Sequence, residues 1–91
     1  MARPVKSWVI SPHATALMAR RGIGMSVVAE VLQTPEQRFP ARPGRDVLQK
    51  RVDFDGKTYV VRVFVDIDRE PPEVVTVYRS SKVEKYWSHQ S

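Results

Sequence analysis

Apolar residues recur with a helical period near the start of the chain and with a strand period over most of the rest. Ser11-Pro12 has the form of a helix start, with serine as N-cap and proline at the first helical position. Ala14, Leu17 and Met18 follow as an i, i+3, i+4 stripe, Arg21 falls at i+7, and Gly22 is a natural stop. Beyond the short Ile23-Gly24 link, Met25, Val28, Ala29 and Leu32 mark one face of a second helix over about Met25 to Gln33, which Pro35 closes. Upstream, Val5 to Ile10 is extended.

After the second helix the period becomes two. Arg38 to Arg42 predicts a short edge strand, because Pro40 cannot donate to a ladder. Val47 to Phe54 and Lys57 to Val65 are strands joined by Asp55-Gly56, a strong hairpin signal. A two-residue turn there pairs Phe54 with Lys57, Val52 with Tyr59, Leu48 with Val63 and Gln49 with Arg62. Leu48, Val52, Phe54, Tyr59, Val61, Val63 and Val65 then share one apolar face. Val47, Gln49, Arg51, Asp53, Thr58, Val60, Arg62 and Phe64 share the other. In the last strand, Glu73 to Arg79, turning Val75 and Val77 to the core sets Thr76 and Tyr78 beside Arg51 and Arg62 on a second, open face. The pattern predicts a single α+β domain over 1–91, with two N-terminal helices packed on a twisted, mainly antiparallel sheet of about four strands. Residues 1–10 form an extended lead and 88–91 a frayed tail.

Ninety-one residues hold only a small core, so a site should be a shallow cleft. The absence of cysteine excludes disulfides, thiolate nucleophiles and cysteine-ligated zinc. Two separated histidines offer no ligand spacing, and the acidic Asp66, Asp68 and Glu70 lack the rest of a calcium loop. No metal and no cofactor is therefore expected. No glycine-rich phosphate loop and no nucleophile elbow occurs. No apolar run approaches the roughly 20 residues of a membrane span, and the N-terminus lacks the apolar region of a secretory signal. A cytoplasmic protein with no membrane partner is the expectation.

Fifteen Lys and Arg against ten Asp and Glu give a net charge of +5 and a pI of about 10.0. Arginine is twice as frequent as lysine, which favours forked recognition of phosphate. The balance points to a polyanion, chiefly nucleic acid, although an acidic protein partner would also explain it. Arg51 and Arg62 can clamp a scissile phosphate, or simply pair with nearby carboxylates. Tyr78 can stack on a base or assist proton transfer, and Thr76 adds a hydroxyl. His13, just inside the first helix, can act as general acid or base, or be a solvated helix-start residue. Arg21, Arg79, Lys82 and Lys85 are candidate phosphate contacts. Trp8 and Trp87 read as core or rim, and His89 as part of the tail.

The run His13-Ala14 through Met18 to Arg21-Gly22-Ile23, the Leu32 to Pro35 helix ending, a glycine-bearing basic strand, and the closing Val75-Thr76-Val77-Tyr78-Arg79 with Lys82 and Tyr86-Trp87 resemble a family of small bacterial and phage domains of unknown function. The resemblance spans roughly residues 10 to 87. That family is similar to the RelE toxins, within the barnase–EndoU–colicin–RelE group of ribonucleases. The resemblance implies a RelE-like fold and a metal-independent endoribonuclease, in which the RNA 2′-hydroxyl attacks the adjacent phosphate to leave a cyclic phosphate. It also implies the toxin half of a toxin–antitoxin pair, with RNA, free or on the ribosome, and an acidic antitoxin as partners. His13 matches the family histidine, Arg21 the helix-end arginine, and Thr76 and Tyr78 the last-strand pair, while Arg51 or Arg62 as clamp rests on geometry. Leu17 stands where the family often has arginine. The alternatives are a non-catalytic RNA- or protein-binding module of the same fold, and an inhibitor of an enzyme target.

Overall fold

The computed structural model describes residues 2–89. Elements follow in the order β1 (Val9–Ile10), α1 (Pro12–Arg21), α2 (Met25–Gln33), β2 (Gln37–Arg42), β3 (Arg45–Phe54), β4 (Lys57–Asp66), β5 (Glu73–Ser80) and α3 (Val83–Tyr86). The strands form one five-stranded sheet in the order β1-β5-β4-β3-β2. β2 to β5 pair antiparallel, while β1 runs parallel to β5 and meets it only at Glu73 and Val74. The domain is α+β, and its sheet is one strand larger than the sequence predicts. The extra strand is the two-residue β1 in the N-terminal segment, too short to show a period.

Local chemistry accounts for the elements. The Ser11 hydroxyl accepts a hydrogen bond from the Ala14 N–H at 3.0 Å, and Gly22 ends α1 in the left-handed region at φ 65°. Asp55 and Gly56 both carry positive φ, 52° and 83°. A two-residue turn with both centres left-handed matches the twist of the strands it joins, and the β3–β4 register follows the predicted one throughout, from Phe54–Lys57 to Leu48–Val63.

α1 and α2 cover one face of the sheet. Ala14, Met18, Ile23, Val28, Val31 and Leu32 pack with Leu48, Val61, Val63, Val65, Val74 and Val77 in a single cluster. Two predicted faces are corrected. α2 buries Val28, Val31 and Leu32, while Met25 is 55% exposed. Rotating the helix toward Val31 buries a valine in place of an alanine and removes more apolar surface from water. In β5 the buried pair is Val74 and Val77, not Val75 and Val77. Phe64 pairs with Thr76 and Val65 with Val74, so Val75 is an extra residue, a bulge that shifts the alternation. Downstream of the bulge Thr76 and Tyr78 still share the face of Phe64 and Arg62, as predicted.

That second face is not open. Val47, Gln49 and Val60 are fully or almost fully buried on it, because α3 and the residues after it fold back across β3 and β4. Ser88, counted with the tail in the sequence, exchanges two hydrogen bonds with Gln37: its N–H donates at 3.0 Å and its C=O accepts at 2.6 Å. The end of the expected tail, 90–91, lies outside the described residues.

At the far end of β3 and β4, Asp66 is buried and takes a two-pronged contact from Arg45, with Nε at 2.6 Å and Nη2 at 3.2 Å. The hydrogen bond from Arg45 holds the Asp66 carboxyl below its ordinary value of 3.8, against the opposing effect of burial. A carboxyl lowered on folding contributes stability that is fully present above its unfolded value and is lost as pH falls through the folded one. Urea midpoints should therefore hold from neutral pH to about pH 5 and drop below about pH 4. Asp66→Asn should be less stable than wild type at pH 7 and lose less on acidification. Parallel profiles for the two proteins would contradict this assignment.

Candidate nucleic-acid interface

The register sets Arg62 of β4 between Gln49 of β3 and Tyr78 of β5. Arg62 Nε donates to Gln49 Oε1 at 2.8 Å, and Nη1 donates to the Tyr78 hydroxyl. Its guanidinium lies 5.3 Å from the Phe64 ring centre, 5.6 Å from Tyr78 and 4.8 Å from Tyr86. Phe64 stacks on Tyr78 at 5.9 Å, and Tyr86 meets Tyr78 edge-on at 5.8 Å. Arg62 is thus boxed by three rings. It has no carboxylate partner among the described residues. Its remaining N–H groups can serve an anion, and the phenol beside them carries a transferable proton.

The lid of this box is the C-terminal segment. Gln49, fully buried, donates through Nε2 to Gln37 Oε1 at 2.7 Å and to the Tyr86 carbonyl at 3.0 Å. Two glutamine amides therefore read the backbone of Tyr86 and Ser88 as a neighbouring strand would. Arg51 lies 4.3 Å over the Trp87 ring. Gln37 and Gln49 have no place among the predicted site residues. The available signal was Val47 and Val60 standing beside Gln49 on the face read as open, an apolar pair that such a face would not be expected to carry.

The predicted site residues separate into groups. Arg62, Thr76 and Tyr78 come together. Arg51 shares their face but is engaged by Glu36, through Nη2–Oε2 at 2.7 Å and Nε–Oε1 at 3.2 Å. Hydrogen bonding from Arg51 holds the Glu36 carboxyl below its ordinary range. Lys82 and Lys85 are exposed at α3, Lys85 Nζ lying 5.4 Å from the Tyr86 ring. His13 is exposed at the N-terminal end of α1, in the helix layer, and its side chain makes no hydrogen bond or ion pair among the described residues. Arg21 and Arg79 lie on the helix side of the sheet. Arg21 Nη1 donates to the Val77 carbonyl at 2.8 Å, and Arg79 lies over Phe54 and Tyr59. Among the described residues no group of three His, Cys, Asp or Glu is placed to hold a metal, and no helix is long and apolar enough to cross a membrane.

These features define a small α+β domain with a cation–aromatic box on a five-stranded mixed sheet. A family model described as "Domain of unknown function (DUF4258)" matches residues 10–79, and the chain belongs to that family. The matched span takes in His13, Arg21, Arg51, Arg62, Thr76, Tyr78 and Arg79, while α3 and the segment over the box lie beyond it. No curated protein and no solved structure matches the chain.

Proposed function

We propose that this domain binds RNA and cleaves it as a metal-independent endoribonuclease of RelE-like type. One observation carries the reading. Arg62, with no carboxylate among the described residues to neutralise it, is held against the Tyr78 hydroxyl within a ring of aromatics. A guanidinium set in that way can take a phosphate oxygen and stabilise charge developing there. Tyr78 supplies a proton donor or acceptor at the same point, and Thr76 a hydroxyl one pleat away. Phe64, Tyr78 and Tyr86 provide faces on which unpaired bases stack. Cleavage would follow attack of the 2′-hydroxyl on the neighbouring phosphorus, with expulsion of the 5′-oxygen and a cyclic phosphate as product. As a toxin, such an enzyme would be held in check by an acidic antitoxin protein.

A second reading, a non-catalytic RNA-binding module, is favoured by the segment Tyr86 to Ser88 lying across the box and by the separation of His13 from it. Binding alone is tested by anisotropy of a labelled single-stranded RNA in EDTA at increasing salt. The expected result is affinity that falls with a log–log slope of about 0.7 for each phosphate neutralised. Absence of binding at low salt would remove both RNA readings and leave the protein-partner module.

A further inference from the structure

Arg79 lies on the sheet face opposite Arg62 and is held in an unusual way. Its guanidinium carbon is 4.3 Å from the Phe54 ring centre and 4.8 Å from that of Tyr59. The two rings meet edge-to-face at 5.4 Å and 88°, so they form a fixed platform. The end of α1 closes one side, where a methyl group on Gly22 would sit 3.5 Å from Arg79 Nη2. Yet no hydrogen bond and no ion pair engages the Arg79 side chain among the described residues. Arg38, Arg45, Arg51 and Arg69 each meet a carboxylate. Arg21, from the last turn of α1, spends one N–H on the Val77 carbonyl, two residues before Arg79, and also meets no carboxylate there. Lys57 adds a third cation, 5.8 Å from the Tyr59 ring.

Arg21 at the Val77 carbonyl and Arg79 two residues further on bring two cations without carboxylate partners among the described residues to the same end of β5, where a phosphate would be attracted by both charges. The aromatic platform fixes Arg79 in place but uses none of its five N–H donors. A planar fork with free donors beside a second arginine matches the oxygens of a phosphate.

The strand edge supplies the path. Tyr78 and Arg79 are consecutive, so their side chains stand on opposite faces of β5. β1 pairs with β5 only at Glu73 and Val74, so among the described residues no strand covers the outer side of β5 beyond them. A single-stranded backbone leaving the Arg62–Tyr78 box can turn round this edge, which carries no strand beyond Val74 among the described residues and is met at Val77 by the Arg21 side chain, and reach Arg79.

We infer that Arg79 and Arg21 form a phosphate subsite for single-stranded RNA that leaves the box round the β5 edge, an inference that rests on the RNA-binding reading above. The test is anisotropy of a fluorescein-labelled 2′-O-methyl RNA, which cannot be cleaved, with the full chain in EDTA. Arg79→Gln and Arg21→Gln should each weaken binding by about tenfold and lower the salt slope by about 0.7. Arg79→Lys, which keeps the charge and loses the fork, should fall between wild type and Arg79→Gln. Lys6→Gln, a charge-matched change in the N-terminal segment, should stay within about twofold of wild type. Wild-type affinity in Arg79→Gln, with only a lower thermal midpoint, would make Arg79 a cover for the Phe54–Tyr59 pair and overturn the subsite alone. Equal losses in Arg79→Gln and Lys6→Gln would reduce the effect to net charge and likewise overturn it. Failure of the wild type to bind would overturn the RNA reading and the subsite together.

Discussion

Replacing Arg62 with alanine should lower RNA cleavage by about 100-fold or more, the usual loss when one preorganised donor to a developing oxyanion is removed. The side chain is half-buried, so part of the effect could come through folding. Arg62→Lys separates the two. Lysine keeps a positive charge among Phe64, Tyr78 and Tyr86, but as a compact ammonium it cannot reach both Gln49 and Tyr78 while presenting a fork to phosphate. It should keep the fold with a stability loss of about 1–3 kcal/mol for the partner that Gln49 or Tyr78 loses, remain folded under assay conditions, and still lose most of the rate, with the loss in kcat and little change in KM. Retention of the full rate in Arg62→Lys would show that a point charge suffices and that the forked geometry has no catalytic part.

Gln49→Leu should cost about 2–4 kcal/mol of stability, the sum expected when buried donors and acceptors lose their partner. The volume is nearly conserved, so the loss would not come from a cavity. It would come from Arg62 Nε, Gln37 Oε1 and the Tyr86 carbonyl, all of which bond to Gln49. The same change should release the C-terminal segment. In a Trp8→Phe background, Trp87 emission should shift to the red and protease should cut near Tyr86 faster. A wild-type urea midpoint and unshifted Trp87 emission would contradict the bridging role given to Gln49.

Much of the fold was legible because its signals are local. The Ser11-Pro12 start, the Gly22 stop and the Asp55-Gly56 turn depend on a few adjacent residues. The turn alone carried the register of two strands out to Leu48 and Val63. What escaped depends on contacts between distant parts. The β5 bulge at Val75 leaves no local mark, since four valines and threonines in a row satisfy either alternation. The orientation of α2 was decided by which valine the sheet could accept. β1 is two residues long and exists only because β5 offers an edge.

The site was legible in the same uneven way. Arg62, Thr76 and Tyr78 follow from the hairpin register and the last strand. The engagement of Arg51 by Glu36 does not, because the two are fifteen residues apart and meet only through the β2–β3 pairing. His13 could be placed at a helix start in the layer opposite Arg62, but whether it reaches round the sheet edge depends on how α1 sits on the sheet. The closure of the second face was the largest gap. Glutamines 37 and 49 look like spacers until the chain beyond α3 returns to meet them.

The most direct measurement is incubation of the purified wild-type chain with end-labelled RNA in EDTA, with and without ribosomes, beside Arg62→Ala. The wild type should give fragments ending in 2′,3′-cyclic phosphate, and Arg62→Ala should leave the RNA intact. Intact RNA in every lane, from a folded wild-type protein that nonetheless binds it, would contradict cleavage and leave the binding module as the function.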